Sequence, residues 1–194
     1  MGKILFCDNS LYDLLNFRGD VIENYLLDGY EIVLVAPQTS MLTNKPTGLK
    51  YIPVQLNRSG MNPFHDLKYM WNLIKIYRKE HPDYIFHYTI KPNVYGSLAA
   101  KLCGIPSTAM IAGLGYVFDN KGIGCAVARK LYRFALKFSH KVMVLNSYNR
   151  DLVIEKKIAT PEQVILLPGG EGINLDRFRE QRYENFSDDS TAFI

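Results

Sequence analysis

The chain has 194 residues, 47% of them hydrophobic and 22% charged, and 23 Lys and Arg against 19 Asp and Glu give a net charge of +4. This is enough chain to bury one substantial core, with the composition of an ordinary globular domain, and the charge excess is too mild to argue for a nucleic-acid partner. Cys7, Cys103 and Cys125 lack CxxC spacing and sit in apolar or small-residue contexts, which reads as reduced core thiols rather than a disulfide framework or a metal site; no metal is expected. No apolar run is long enough for a signal segment or a membrane span, so a cytoplasmic chain is expected.

Residues 3–7 (KILFC) read as a first strand, Asp8-Asn9-Ser10 as a polar turn, and a helix is expected from near Asn16 to Gly29. Strand, loop and helix make a Rossmann opening, yet no GxGxxG follows the strand. The second strand, residues 30–36, carries Pro37, Gln38 and Thr39 at its end instead of an acid for a ribose, so no nicotinamide cofactor is expected. A third strand over 50–54 leads to a helix over about 64–80, on which Lys68, Asn72, Lys75 and Lys79 share one face.

The run 82–118 organises the rest as a βαβ unit. Residues 84–86 form a short apolar strand, and His87, Tyr88, Thr89 and Lys91 follow at its carboxyl end. Pro92 suits a first helical turn, Gly104 ends the helix, and Gly96, Ala99, Ala100 and Cys103 make a stripe of small side chains for close packing on a sheet. The next strand, 107–112, ends in Gly113-Leu114-Gly115. Two polar or glycine-bearing loops therefore open at the carboxyl ends of adjacent parallel strands, where open α/β sheets place ligands.

A helix over 124–139 sets Val127, Leu131, Phe134 and Phe138 on one side and Lys130, Arg133 and Lys137 on another. Two basic amphipathic helices leave two readings open, an interfacial contact with anionic lipid or core packing under a charged exterior. A strand over 141–145, a helix capped by Asn146-Ser147 and running to about 157, and a strand over 164–167 follow. The loop Pro168-Gly169-Gly170-Glu171-Gly172 comes next, then a polar, acidic stretch over 180–189 and an apolar start over 191–194. The fold class is α/β, one doubly wound, mainly parallel Rossmann-like sheet of six or seven strands with helices on both faces. The division expected is 1–179 as that domain and 180–194 as a linker and the start of another.

The ordered set Asn16-Phe17-Arg18, HYTIKPNVYGSLAAKLCGIP, AGLGYVF, VLNSYNRDLVI and LPGGEGINLDRF resembles the amino-terminal domain of family 4 retaining glycosyltransferases, in the branch that builds capsule, O-antigen and other lipid-linked glycans of bacteria. The resemblance implies half of a two-domain GT-B fold: an acceptor-side domain here, and a nucleotide-sugar domain, UDP-linked donor included, beyond it. It implies transfer of a hexosyl or N-acetylhexosaminyl group to a lipid-linked or polysaccharide acceptor, with no cofactor, at the inner face of the plasma membrane. Arg18 and Lys91 are implied to hold a polyprenyl diphosphate or an acidic sugar, unless they are ordinary surface charge. Asn16 orients acceptor hydroxyls or caps its helix; Gly113 and Gly115 admit substrate to the backbone or form a tight turn; Gly170, Glu171 and Gly172 border the interdomain hinge. The chain departs from the family where many members carry a His, having Gly113-Leu114-Gly115-Tyr116, which leaves His87 as the candidate catalytic histidine; it also carries Glu171 where the final loop usually reads Gly-Ser-Gly. Two other readings stand beside this one: a non-catalytic acceptor-binding, membrane-docking subunit, and half of a nucleotide-sugar 2-epimerase.

Overall fold

Parallel strands buried on both faces read as short continuous apolar runs, and the computed structural model forms a strand at each one expected. It describes residues 2–38, 49–57, 62–114, 118, 120 and 122–167. In chain order the elements are β1 (Lys3–Cys7), α1 (Leu11–Leu27), β2 (Glu31–Ala36), β3 (Lys50–Pro53), α2 (Pro63–Glu80) and β4 (Tyr84–Tyr88). A turn of π-helix (Pro92–Gly96) runs into α3 (Ser97–Cys103), followed by β5 (Ser107–Ile111), α4 (Ile123–Leu136), β6 (Lys141–Val144), α5 (Ser147–Glu155) and β7 (Val164–Leu166).

The strands form one parallel sheet in the order β3-β2-β1-β4-β5-β6-β7. The order reverses between β1 and β4, and this switch point leaves a crevice outside the carboxyl ends of the two strands. Side chains alternate between the faces. Ile4, Phe6, Ile32 and Leu34 pack on Leu11, Leu14 and Ile22 of α1, whereas Leu5, Cys7, Val33, Val35 and Ile85 pack on α2 and α3. A third cluster joins Ala109, Ile111, Val142 and Val144 to Tyr132, Ala135 and Leu136 of α4. The doubly wound sheet with helices on both faces is as expected.

Three boundaries differ from expectation in ways that bear on the site. Ser10 Oγ accepts the Asp13 N–H at 3.2 Å and starts α1 at Leu11, so Asn16 lies inside the helix and does not cap it. β4 runs two residues further because His87 pairs with Cys7 and Ala109 and Tyr88 with Met110, which takes His87 out of the loop and into the strand. The helix after β4 opens as a π-turn whose Gly96 lies against the His87 ring; a Cβ there would sit 2.4 Å from His87 Cδ2. The stripe of small residues is confirmed, with Ala99 and Ala100 fully buried. Leu67 and Trp71 of α2, and Val127 and Phe134 of α4, are exposed. The expected linker at 180–194 lies outside the described residues.

Candidate functional site

The crevice at the switch point is a cavity of about 510 Å³. The end of β1 contributes Asp8 and Asn9, the second turn of α1 Arg18, the end of β4 Thr89 and Lys91, and the end of β5 Gly113, while Asn93 and Tyr132 also line it. Of the residues expected in the site from sequence, the structure brings Arg18, Lys91 and Gly113 together here. Asn16 is half-buried on α1 and does not line the cavity. Gly115, Gly170, Glu171 and Gly172 lie outside the described residues.

His87 is not at the mouth. It is wholly buried, its Nε2 lies 2.9 Å from the Tyr77 hydroxyl, and burial pulls its pKa down to about 3, so it is a neutral imidazole under the π-turn. Strand pairing is the reason: at β4 His87 shares the inward face with Ile85, toward α2 and α3.

The two cations are held differently. The Arg18 guanidinium stacks 4.6 Å above the centroid of the Tyr88 ring and donates from Nη1 to the Phe17 carbonyl at 3.0 Å, which fixes its plane beside the cavity. Lys91 Nζ donates to Asp66 Oδ1 at 2.6 Å, and the Tyr95 hydroxyl donates to Asp66 Oδ2 at 2.9 Å. Asp66 is buried, so this pair is a positioned ammonium with its counter-ion built in rather than a mobile surface charge.

Sequence reasoning passed over Asp8, taken as a turn residue. It is 4% exposed, and Oδ1 accepts the Asn9 N–H at 2.6 Å and lies 3.4 Å from the Thr89 hydroxyl. Burial pushes its pKa up to about 6, against the lowering effects of the Asn9 N–H and the Arg18 charge. Thr89 holds its hydroxyl there with φ at 68°, a left-handed conformation that a β-branched residue rarely adopts. Asn93, buried below, donates from Nδ2 to the Met110 carbonyl at 2.7 Å and to the Tyr132 hydroxyl at 3.3 Å, while its Oδ1 has no partner among the described residues. The available signal was positional: Asp8 is the first polar residue after the first strand, beside the switch point.

A second, apolar groove of about 300 Å³ adjoins the cavity, sharing Ile90, Lys91, Gly113 and Tyr132 with it and continuing between Pro63, Val94, Leu114 and Leu131. Val127 of α4 lines it and is exposed; elsewhere on the two helices Phe64 (81%) and Trp71 of α2 and Ile123 (87%) of α4 are exposed as well. A larger hollow of about 740 Å³ lies past the ends of β2 and β3 and shares Leu56 with the switch-point cavity. Among the described residues, no helix is long and apolar enough to cross a membrane.

Comparison with known proteins fits this geometry. Residues 3–146 match the family model described as glycosyl transferase 4-like. The N,N'-diacetylbacillosaminyl-diphospho-undecaprenol alpha-1,3-N-acetylgalactosaminyltransferase of Campylobacter jejuni is 28% identical over 182 residues, which are 91% of this chain and 48% of that protein. The UDP-Gal:alpha-D-GlcNAc-diphosphoundecaprenol alpha-1,3-galactosyltransferase of Escherichia coli is 24% identical over 114 residues, 58% of this chain and 29% of that one. The chain thus spans about half or less of the length of the curated relatives it matches. Among solved structures, an S. aureus MnaA–UDP complex superimposes with a TM-score of 0.67 at 16% identity, covering 95% of this chain and 50% of the other. A UDP-N-acetylglucosamine 2-epimerase from Rickettsia bellii superimposes with a TM-score of 0.64 at 18% identity, covering 88% and 45%. At those identities the likeness is one of fold, the Rossmann-like unit of two-domain GT-B proteins. The sheet order, the switch-point cavity and a family match over residues 3–146 agree: the chain belongs to the glycosyl transferase 4-like family.

Proposed function

We propose that this chain is the acceptor-side domain of a retaining glycosyltransferase, which moves a hexosyl or N-acetylhexosaminyl group from a nucleotide sugar, UDP-linked, to a polyprenyl-diphosphate-linked glycan. The observation that carries the reading is the switch-point cavity, which has Asp8, Asn9 and Thr89 and the cations Arg18 and Lys91 at its wall and opens directly into an apolar groove. A substrate that is sugar, then diphosphate, then hydrocarbon matches a cavity that carries polar groups and two cations and runs past Lys91 into an apolar groove. Both curated relatives carry names with acceptors of that kind.

Transfer with retention brings the acceptor hydroxyl to the face that the leaving group vacates, and the departing phosphate takes the proton. Positioning and electrostatics then do most of the work. In this reading Lys91 and Arg18 hold the acceptor diphosphate, Gly113 leaves room beside it, and His87 acts only through packing, by fixing the π-turn that follows Lys91. The donor domain of this reading lies outside these 194 residues, and its closure over the cavity assembles the complete site. The exposed apolar residues of α2 and α4, set among Lys68, Lys75, Lys130 and Lys137, dock the domain on an anionic cytoplasmic membrane face, where the acceptor lipid resides. The epimerase reading rests on fold likeness alone, and no paired acid and histidine stand together in the described cavity to serve it.

Calorimetry with N-acetylglucosaminyl-diphospho-farnesol and with UDP-N-acetylglucosamine, beside flotation with anionic liposomes, tests this. Binding of the lipid-linked sugar and of liposomes, with no binding of the nucleotide sugar, is the expected result. Tight nucleotide-sugar binding by this chain alone would overturn it.

A further inference from the structure

Proteins rarely bury a carboxylate whose oxygens are unequally satisfied unless something else completes it. At Asp8 both hydrogen bonds converge on Oδ1, from the Asn9 N–H at 2.6 Å and the Thr89 hydroxyl at 3.4 Å, and Oδ2 has none among the described residues. The residue nevertheless lines the 510 Å³ cavity. Below it, Asn93 Oδ1 is a second acceptor without a donor, with the rest of its amide committed to Met110 and Tyr132. Asn93 Oδ1 is closed off from the cavity, so Asp8 Oδ2 is the acceptor that a ligand can reach, and it calls for a hydroxyl donor. An anion alone would be repelled by Asp8, and a hydrocarbon would leave that oxygen bare.

The geometry points to Asp8 as the residue that binds the acceptor's terminal sugar, its Oδ2 accepting a hydrogen bond from one sugar hydroxyl while Lys91 and Arg18 hold the diphosphate. The inference rests on the acceptor reading above and adds what that reading lacked, a group that recognises the sugar. No bond is made or broken by Asp8; it positions a hydroxyl and selects acceptors that have one there. Thr89 supports it from the end of β4, its single hydroxyl hydrogen shared between Asp8 Oδ1 and the Tyr88 carbonyl, in a backbone conformation that a β-branched residue enters only when its surroundings hold it there.

The raised pKa of Asp8 gives this a readout other than activity. The charged and titratable groups facing it are Cys7 on β1, Asp13 and Arg18 on α1, and Lys91 with its partner Asp66 across the cavity. Cys7 is pushed up to about 12 and the nearby His87 down to about 3, so neither changes charge near pH 6. Each phosphate of the acceptor carries one ester and the shared anhydride bridge, which leaves one strongly acidic oxygen apiece, so both stay ionised there. The ionised Asp8 is the better acceptor, so affinity rises as pH increases through about 6.

The test titrates N-acetylglucosaminyl-diphospho-farnesol and its 3-deoxy, 4-deoxy and 6-deoxy forms into wild type and Asp8→Asn between pH 5 and 8. Asparagine keeps an Oδ1 acceptor for the Asn9 N–H and the Thr89 hydroxyl, and thermal unfolding confirms that the variant is folded. Wild type should bind more tightly above pH 6, and Asp8→Asn should bind about 10- to 100-fold more weakly at pH 7.5, as for loss of one hydrogen bond to a charged group, with a flat pH profile. One deoxy analogue should bind weakly to wild type, and Asp8→Asn should no longer tell it from the parent. If Asp8→Asn binds the parent as wild type does, with the same pH profile, the inference fails and the acceptor reading stands. If wild type binds none of these compounds at any pH, the acceptor reading itself fails and takes the inference with it.

Discussion

The Gly96→Ala variant isolates the contact on which the loop after β4 depends. An added Cβ would lie 2.4 Å from His87 Cδ2 and 2.5 Å from Nε2, so the ring must move. It has nowhere cheap to go: His87 is wholly buried, and its Nε2 is engaged with the Tyr77 hydroxyl at 2.9 Å. Overpacking a well-filled core costs about 2 kcal/mol, and separating two buried hydrogen-bonding groups costs about 2 kcal/mol more. Against this, replacing glycine with alanine inside a helix contributes about 1 kcal/mol. The net expectation is a loss of about 3 kcal/mol. Urea unfolding reads it as a fall of about 1 to 2 M in midpoint at unchanged slope, for a slope of about 2 kcal/mol/M. Pairing Gly96→Ala with His87→Ala should cost less than the sum of the two changes, because the new methyl enters the space the ring leaves. The reasoning is refuted if Gly96→Ala is as stable as wild type or more so, which is what helix propensity alone would give.

Three further outcomes are expected. Asp8 keeps its proton up to about pH 6 in the fold against 3.8 ordinarily, so its ionisation costs stability as pH rises between those values. Asp8→Asn should therefore be more stable than wild type by about 3 kcal/mol at pH 7.5 and by almost nothing at pH 4, in urea unfolding at each pH. His87, lowered from 6.5 to about 3, acts with the opposite sign and withdraws stability as pH falls below 6.5, so the two slopes oppose each other between pH 4 and 6; equal unfolding curves for the two proteins at pH 7.5 would contradict the Asp8 assignment. Asp66→Ala strands a buried ammonium and the Tyr95 hydroxyl, and should cost about 3 kcal/mol or more, whereas a loss under 1 kcal/mol would show that Lys91 simply moves to water. Cys7 is buried with its thiol pushed up to about 12, so a disulfide reagent at pH 8 should modify at most Cys103 and Cys125 in the native chain and reach the third thiol only on unfolding; three fast thiols would mean that β1 is open to solvent.

The strands were legible because parallel strands covered on both faces leave continuous apolar runs such as KILFC and EIVLVA, and the order of runs and helices fixes a doubly wound sheet. The site was less so. Lys91 and Gly113 were placed beside the cavity because each follows a strand, whereas Arg18 reaches it from within α1. His87 was misplaced because HYT reads as polar loop, while its pairing with Cys7 and Ala109 is a long-range fact that no local pattern carries. Asn16 was overvalued because the Ser10 cap, six residues earlier, was passed over. Asp8 was missed because nothing local distinguishes an acid in a turn from an acid buried in a cleft; only when Thr89, 81 residues later, is brought beside it does its environment exist.

The most direct test of the central claim is a two-dimensional amide spectrum of this chain, titrated separately with N-acetylglucosaminyl-diphospho-farnesol and with UDP-N-acetylglucosamine. An acceptor domain requires that the lipid-linked sugar shift the amides of Asp8, Asn9, Arg18, Thr89 and Gly113 and that the nucleotide sugar leave them where they are. Shifts of those same amides by the nucleotide sugar, with none from the lipid-linked sugar, would make the switch-point cavity a donor site and contradict the account.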